Sequence, residues 1–346
     1  MIKQGQAKYN ILLFCILSVL VFFLFLTDLF TGPVLIPFRE IIRILFTGES
    51  TRSDWITIIY DFRMPRSLTA ILAGAALSVS GLQMQTLFRN PLAGPDVLGI
   101  SAGASLGVAI LVLGFSAFIP FDFFSSAGKW SVVASSWIGS GLILLLLLVV
   151  SARVRDIRTI LILGIMFTSA AYAVVSLMQY FSNEAMLRSF VMWTMGSLGN
   201  ITGIQLNILA PCITIGLLLA FLLSKNLNVM LLGEHYSKTT GVNVTLTRLL
   251  VFTATSILTG SVTAFCGPIG FIGIAVPHVT RAIFNTSDHK LLIPGSVLTG
   301  SAILLASDII SKFPGFESSL PINSVTALFG IPVIIWVIIR NQKISN

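Results

Sequence analysis

Charge is what this 346-residue chain has least of: only 10% of its residues are Asp, Glu, Lys or Arg, against 55% hydrophobic. Soluble domains carry roughly 25% charged residues. A water-facing fold of this length could not cover its surface with so few, so the bilayer must be the main solvent. Cysteine is scarce too. The 3 present, Cys15, Cys212 and Cys266, sit inside apolar runs with no C-x-x-C or Cys/His spacing, which excludes a disulfide framework and a zinc cluster. The 3 histidines, His235, His278 and His289, are far apart. No G-x-x-x-x-G-K-[ST] loop occurs; Gly128-Lys129 lacks both the upstream glycine and the following hydroxyl residue. Paired acids and Ser/His/Asp groupings are missing as well. The chain reads as no enzyme, with no cofactor or metal site of its own. A net charge of +8 raises nucleic acid as a partner, but the cations stand singly between apolar runs and form no stripe. Nucleic-acid binding is set aside.

What the sequence does have is long apolar runs. Spans of about 20 such residues cross a bilayer core. Candidates are 11–30, 66–88, 97–115, 131–150, 159–181, 204–223, 246–265, 292–311 and 324–340. A shorter run, Ile272 to Phe284, is interrupted by Pro277 and His278 and makes a tenth span. The run from Ile11 follows Lys3 and Lys8 as in a signal peptide, yet Thr27-Asp28-Leu29-Phe30 offers no small-x-small cleavage site, so an uncleaved first helix is expected. Counting from an inside N-terminus, cations such as Lys8, Arg89, Arg153, Arg158 and Lys225 fall in cytoplasmic loops, which places both termini in the cytoplasm. Connections are short, so residues 1–346 form a single all-α membrane domain. Segment 31–62 mixes charge with apolar residues and is expected to lie on the membrane surface.

The stretch Arg63 to Ser105 runs a Gly-, Ala- and Ser-rich helix into Arg89-Asn90-Pro91 and out into a second small-residue helix. Small residues let backbones approach closely, so Gly74 and Gly81 are expected at helix contacts. The residue before a proline is pushed out of the α region, so the helix must break at Asn90. Asp308, near the end of the ninth span, has Lys312 one turn later as an ion-pair partner. Segment 224–245 is polar with helix-like spacing; apolar Val229 to Leu232, then Gly233, then polar Glu234 to Thr240 predict two short helices joined at the glycine.

In order along the chain stand Arg63-Met64-Pro65-Arg66 with GAALSVSGLQMQ, Asn90-Pro91-Leu92-Ala93, LGISAGAS, Met192 to Leu198, LLGEHYSKTTGVNV, GPIGFIGIAVPHVTR, Ile293-Pro294-Gly295-Ser296, and Leu320 to Ser324 with Leu328 to Pro332. Together they resemble the FecCD/BtuC-type permeases, the membrane subunits of type II ABC importers for iron–siderophore, haem and vitamin B12. The likeness covers nearly the whole chain. It departs at Gly94-Pro95-Asp96, where an acid often precedes the proline, and at Lys312, where Arg is common.

The resemblance implies roles. Asn90 and Leu92 would belong to an inner gate, and Ser197 and Asn200 would shape the outer mouth of the path. Arg63, Arg66 and Lys312 would receive acidic residues of a periplasmic or lipid-tethered substrate-binding protein; simple anchoring at helix ends is the alternative. Segment 228–241, with Leu232, Gly233, Glu234, His235, Lys238 and Gly241, would seat in a groove of an ABC ATPase subunit, two copies of which use ATP and Mg. A second permease copy would complete a homodimer in the plasma (inner) membrane. An iron–siderophore chelate is the first cargo reading, with cobalamin or haem as alternatives. The rival is an ion-coupled secondary transporter, which needs carboxylate clusters at mid-membrane.

Overall fold

Helix dominates the computed structural model, which describes residues 2–114, 128–154, 156–312 and 319–345 and has no strand among them. The helices are α1 (Ile2–Phe30), α2 (Phe38–Thr47), α3 (Ser53–Thr57), α4 (Met64–Phe88), α5 (Ile100–Ala109), α6 (Gly128–Arg153), α7 (Ile157–Tyr180) and α8 (Glu184–Thr194). They continue as α9 (Gly203–Leu222), α10 (Ser224–Met230), α11 (Glu234–Thr239), α12 (Val244–Cys266), α13 (Ile272–Phe284), α14 (His289–Ser311) and α15 (Ile322–Ser345). Seven helical stretches are long and apolar enough to cross a membrane, and Ile100–Gly114, Ile272–Phe284 and Ile322–Val337 are shorter apolar helices. Seven and three make up the ten expected spans.

One boundary differs. The stretch Ser53–Phe88 is continuous helix, so the expected surface segment 31–62 ends as the start of a long span. The physical reason is a π-helical turn over Ile58–Arg63 just ahead of Pro65. A wide turn accommodates a proline ring that would clash with the carbonyl four residues earlier in a regular helix. Only α2 remains as a separate surface helix, with Ile41 and Ile44 turned into a small apolar cluster with Ile36 and Ile59.

Helix α4 is the axis of the bundle. Of its most apolar window 83% is buried, against 6% for α1, so α1 faces lipid and α4 faces other helices. It packs on α14, α13, α12 and α9. The approach to α14 is backbone to backbone: a Cβ on Gly74 would land on the Gly300 carbonyl, and one on Gly300 would land on the Gly74 carbonyl. Gly81 meets the Gly273 carbonyl of α13 in the same way. These are the expected small-residue contacts, and they lie within one chain. Leucine-sized residues there would separate the helices and strip the polar groups that bond across them, such as Ser78 Oγ to the Ser296 carbonyl at 2.7 Å and Ser301 Oγ to the Ile71 carbonyl at 2.9 Å.

Candidate functional site at the two ends of helix α4

Arg66 and Arg89 sit about 35 Å apart along α4 at 1.5 Å per residue. Each anchors a different polar assembly. At the Arg66 end, four charges from three helices meet. Lys312 Nζ lies 2.8 Å from Asp28 Oδ1 and 2.7 Å from Asp308 Oδ2. Arg66 donates through Nε to both Asp308 oxygens at 2.9 and 3.0 Å, and through Nη2 to Asp308 Oδ1 at 2.8 Å and Ser311 Oγ at 3.0 Å. Ser67 donates to Asp28 Oδ2. Two carboxylates and two cations cancel, which is the condition for keeping such groups out of water. The i,i+4 pair read from the sequence is therefore present, widened by Asp28 of α1.

The network corrects two expectations. Lys312, with its side chain 4% exposed, is held by Asp28 and Asp308 and presents no charge outward. Arg63 is 6% exposed and donates to the carbonyls of Leu29, Phe30 and Val34. It satisfies carbonyls at and just beyond the end of α1, a structural task that takes three of its five N–H donors. Of the three cations expected at a docking surface, only Arg66, with a 19% exposed side chain, reaches open space. The sequence did not single out Asp28 as a partner; its one signal is an acid at the end of an otherwise apolar run.

That open space is a cavity of about 660 Å³ whose walls include Arg66, Asp308, Met192, Met195, Ser197 and Asn200. Ser197 is fixed by its backbone N–H, which donates to the Cys266 carbonyl at 2.7 Å, and Asn200 is exposed. Asn323 at the start of α15 ties the wall together: its Oδ1 accepts from Gly270 N at 2.9 Å, and its Nδ2 donates to the carbonyls of Pro268 at 2.7 Å and Thr194 at 3.3 Å. Ser197 and Asn200 thus share one polar mouth with Arg66, 131 or more positions apart from it in sequence and joined only by the fold.

At the other end α4 stops as expected. Arg89 takes a left-handed conformation (φ 49°), and Asn90 N–H reaches back to the Gln85 carbonyl at 3.2 Å. Asn90 Oδ1 accepts from Leu92 N–H at 2.9 Å, closing a turn that leaves Leu92 exposed. The turn is held from α13, where His278 Nε2 lies 2.7 Å from the Pro91 carbonyl, Gln85 Nε2 donates to the Ile274 carbonyl at 3.0 Å, and Arg281 donates to Gln85 Oε1 at 2.5 Å.

The two short helices of segment 224–241 cross this end. Gly233 (φ 117°) makes the elbow between α10 and α11, in a conformation an L side chain rarely adopts. Arg89 Nη2 donates across it to the carbonyls of Met230 at 3.1 Å and Leu231 at 3.3 Å. Glu234 turns inward: its carboxylate lies 2.7 Å from the buried Arg248 of α12. It fastens α11 to the bundle while its side chain stays 31% exposed. Leu231, Leu232, Tyr236 and Lys238 are exposed on the elbow, as are Thr239 and Thr240. Gly241 supplies a second left-handed turn (φ 82°) before α12. The side chain of His235 lies outside the described residues. Sequence reading missed Arg89 as a brace, and Tyr236 and Leu231 as surface.

A profile of the FecCD transport family matches residues 19–340. The chain is 34% identical over 302 residues to the hemin transport system permease protein HmuU of Yersinia pestis, covering 87% of this chain and 88% of that one. It is 35% identical over 295 residues to the vitamin B12 import system permease protein BtuC of Klebsiella pneumoniae, covering 85% and 86%. A solved structure of an inward-facing metal-chelate type ABC transporter superposes with a TM-score of 0.81 at 26% identity, over 94% of this chain and 98% of that chain. With the match running through both ends of α4 and nearly every span, this chain belongs to the FecCD transport family.

Proposed function

We propose that this chain is the permease subunit of an ABC importer and that its cargo is an iron–siderophore-type metal chelate. Two copies face one another across a two-fold axis in the plasma membrane, with both termini cytoplasmic, and the path runs between them. A periplasmic or lipid-tethered binding protein delivers cargo at the Arg66 end, where Arg66 meets its acidic residues. Two ATPase subunits, which take up ATP and Mg, seat on Leu231, Leu232, Tyr236 and Lys238 of the elbow. Asn90 and Leu92 close the inner end of the path, and Ser197 and Asn200 shape its outer mouth. The permease moves cargo without hydrolysing ATP itself. Haem and cobalamin are the alternative cargoes, since relatives with those names share about a third of the sequence.

The observation that carries this reading is the placement of two unlike assemblies on one rigid helix. A charged, cavity-lining cluster stands at one end, and a braced elbow with exposed apolar and basic side chains stands at the other. Rigid helices that rock about small-residue contacts transmit such opposed contacts as relative motion.

The experiment is uptake into proteoliposomes holding the permease, its ATPase and its binding protein. Ferric siderophore, hemin and cobalamin are offered in turn. Uptake of the ferric chelate that needs ATP and survives an uncoupler supports the reading. Uptake that collapses with the proton gradient supports the ion-coupled rival, and uptake of cobalamin or hemin alone moves the cargo to that alternative.

A further inference from the structure

Between α10 and α4 lies a set of side-chain bonds that neither the gate nor the elbow surface accounts for. Asn228 of α10 makes three of them. Its Oδ1 accepts from the backbone N–H of His289 at 2.8 Å and lies 2.7 Å from the His289 ring Nδ1. Its Nδ2 donates to Asp288 Oδ1 at 2.5 Å. The partners fix the amide: the oxygen faces two donors and the nitrogen faces a carboxylate. The same partners assign the neutral ring a proton on Nδ1, which leaves Nε2 as an acceptor. Nε2 lies 2.8 Å from Thr86 Oγ1.

Thr86 is on α4, three positions before Arg89. His289 is 1% exposed and Thr86 3%, so water competes little for these bonds. The Thr86 hydroxyl also lies 2.9 Å from the Leu82 carbonyl. One proton therefore has two acceptors, the ring and the helix backbone.

We infer that Asn228, His289 and Thr86 are positioning residues for transport, forming a buried relay that carries displacement of the α10–α11 elbow into α4. This rests on the elbow being the ATPase contact. Directional bonds in a low-dielectric interior resist stretching and bending, so α10 moves with the N-terminus of α14 and the last turns of α4, or the chain breaks. Arg89, bonded to the Met230 and Leu231 carbonyls, is a second attachment from the same short helix to the same end of α4. Asn226 Nδ2, 3.0 Å from Thr247 Oγ1, adds a tie from α10 to α12. The elbow is thereby linked to the helix that ends in the Asn90 turn at one extremity and carries Arg66 at the other.

The test is cargo moved per ATP hydrolysed in proteoliposomes that hold the permease with its ATPase and binding protein. The variants are Asn228→Ala, Thr86→Val and Thr86→Ser, with Lys238→Glu and Leu232→Asp on the elbow surface as references. Thr86→Val keeps shape and removes the hydroxyl; Thr86→Ser keeps the hydroxyl. Loss of one such bond is expected to lower the ratio about fivefold in Thr86→Val, and loss of all three Asn228 bonds at least as far in Asn228→Ala. ATPase association should stay normal in both, and Thr86→Ser should stay near the parent ratio. A parent-like ratio in folded Thr86→Val and Asn228→Ala, while the elbow variants lose ATPase association, overturns the relay alone. Full ATPase association in the elbow variants overturns the elbow reading and the relay with it. If Asn228→Ala fails to fold, the comparison of Thr86→Val with Thr86→Ser decides.

Discussion

Replacing Lys312 by methionine separates a structural cation from a docking one. In the parent, Asp28 and Asp308 are 0% exposed and are balanced by Lys312 and Arg66. Lys312→Met leaves Asp308 its Arg66 bonds but leaves Asp28 without the only cation in salt-bridge contact with it among the described residues. The cluster of four then carries one negative charge in excess, with the Ser67 hydroxyl and the field of nearby Arg63 as its remaining help. Breaking a buried pair in this way costs about 3–5 kcal/mol. Adding Asp28→Asn removes the orphaned charge, so the double variant should recover at least about 2 kcal/mol relative to the sum of the two single losses. The assay is reversible unfolding of the permease in mixed micelles by a denaturing detergent, run on the parent, both single variants and the double variant. The reasoning is refuted if Lys312→Met costs less than about 1 kcal/mol, the scale of an exposed ion pair. It is refuted as well if the cycle is additive.

Arg63→Met should destabilise the permease by about 3 kcal/mol in the same assay, because three carbonyls at and just beyond the end of α1 lose a charged donor. Parent stability with weakened binding-protein association would instead return Arg63 to the docking surface. Gly81→Leu should abolish folded yield, since its side chain would occupy the Gly273 backbone; monodisperse, fully folded protein on gel filtration would contradict that packing. Glu234→Ala strips a carboxylate from Arg248 and should lower stability by about 2 kcal/mol, whereas Lys238→Glu on the exposed face of the same helix should leave stability within about 0.5 kcal/mol. Equal losses in the two variants would mean the faces of α11 are assigned the wrong way round.

Much of the architecture was legible in the residues because a bilayer leaves few choices. Apolar runs must become helices, prolines and glycines mark their ends, and so the ten spans, the Asn90 break and the two short helices around Gly233 could be placed from composition and local geometry. The error at 31–62 is of the opposite kind. Pro65 looks like a start signal, and only a π-helical turn, set by packing around Ile59 and Arg63, lets the helix run through it. The site residues divide in the same way. That Asp308 pairs with Lys312 follows from a separation of one helical turn. That Asp28 joins them from the first helix does not, since 284 positions separate it from Lys312.

The sequence by itself determined that this chain lives in lipid, that its regular structure is helix, and that its polar residues are too few to be idle. It did so because hydrophobic length and helix breaking are local properties, readable over about 20 residues. Only the tertiary structure decided which cation reaches open space. Arg63, Arg66 and Lys312 are alike as letters near helix ends. Packing puts all three against buried acceptors and leaves only Arg66 with an edge on a cavity, because the low dielectric of a helix bundle makes every buried charge claim the nearest partner.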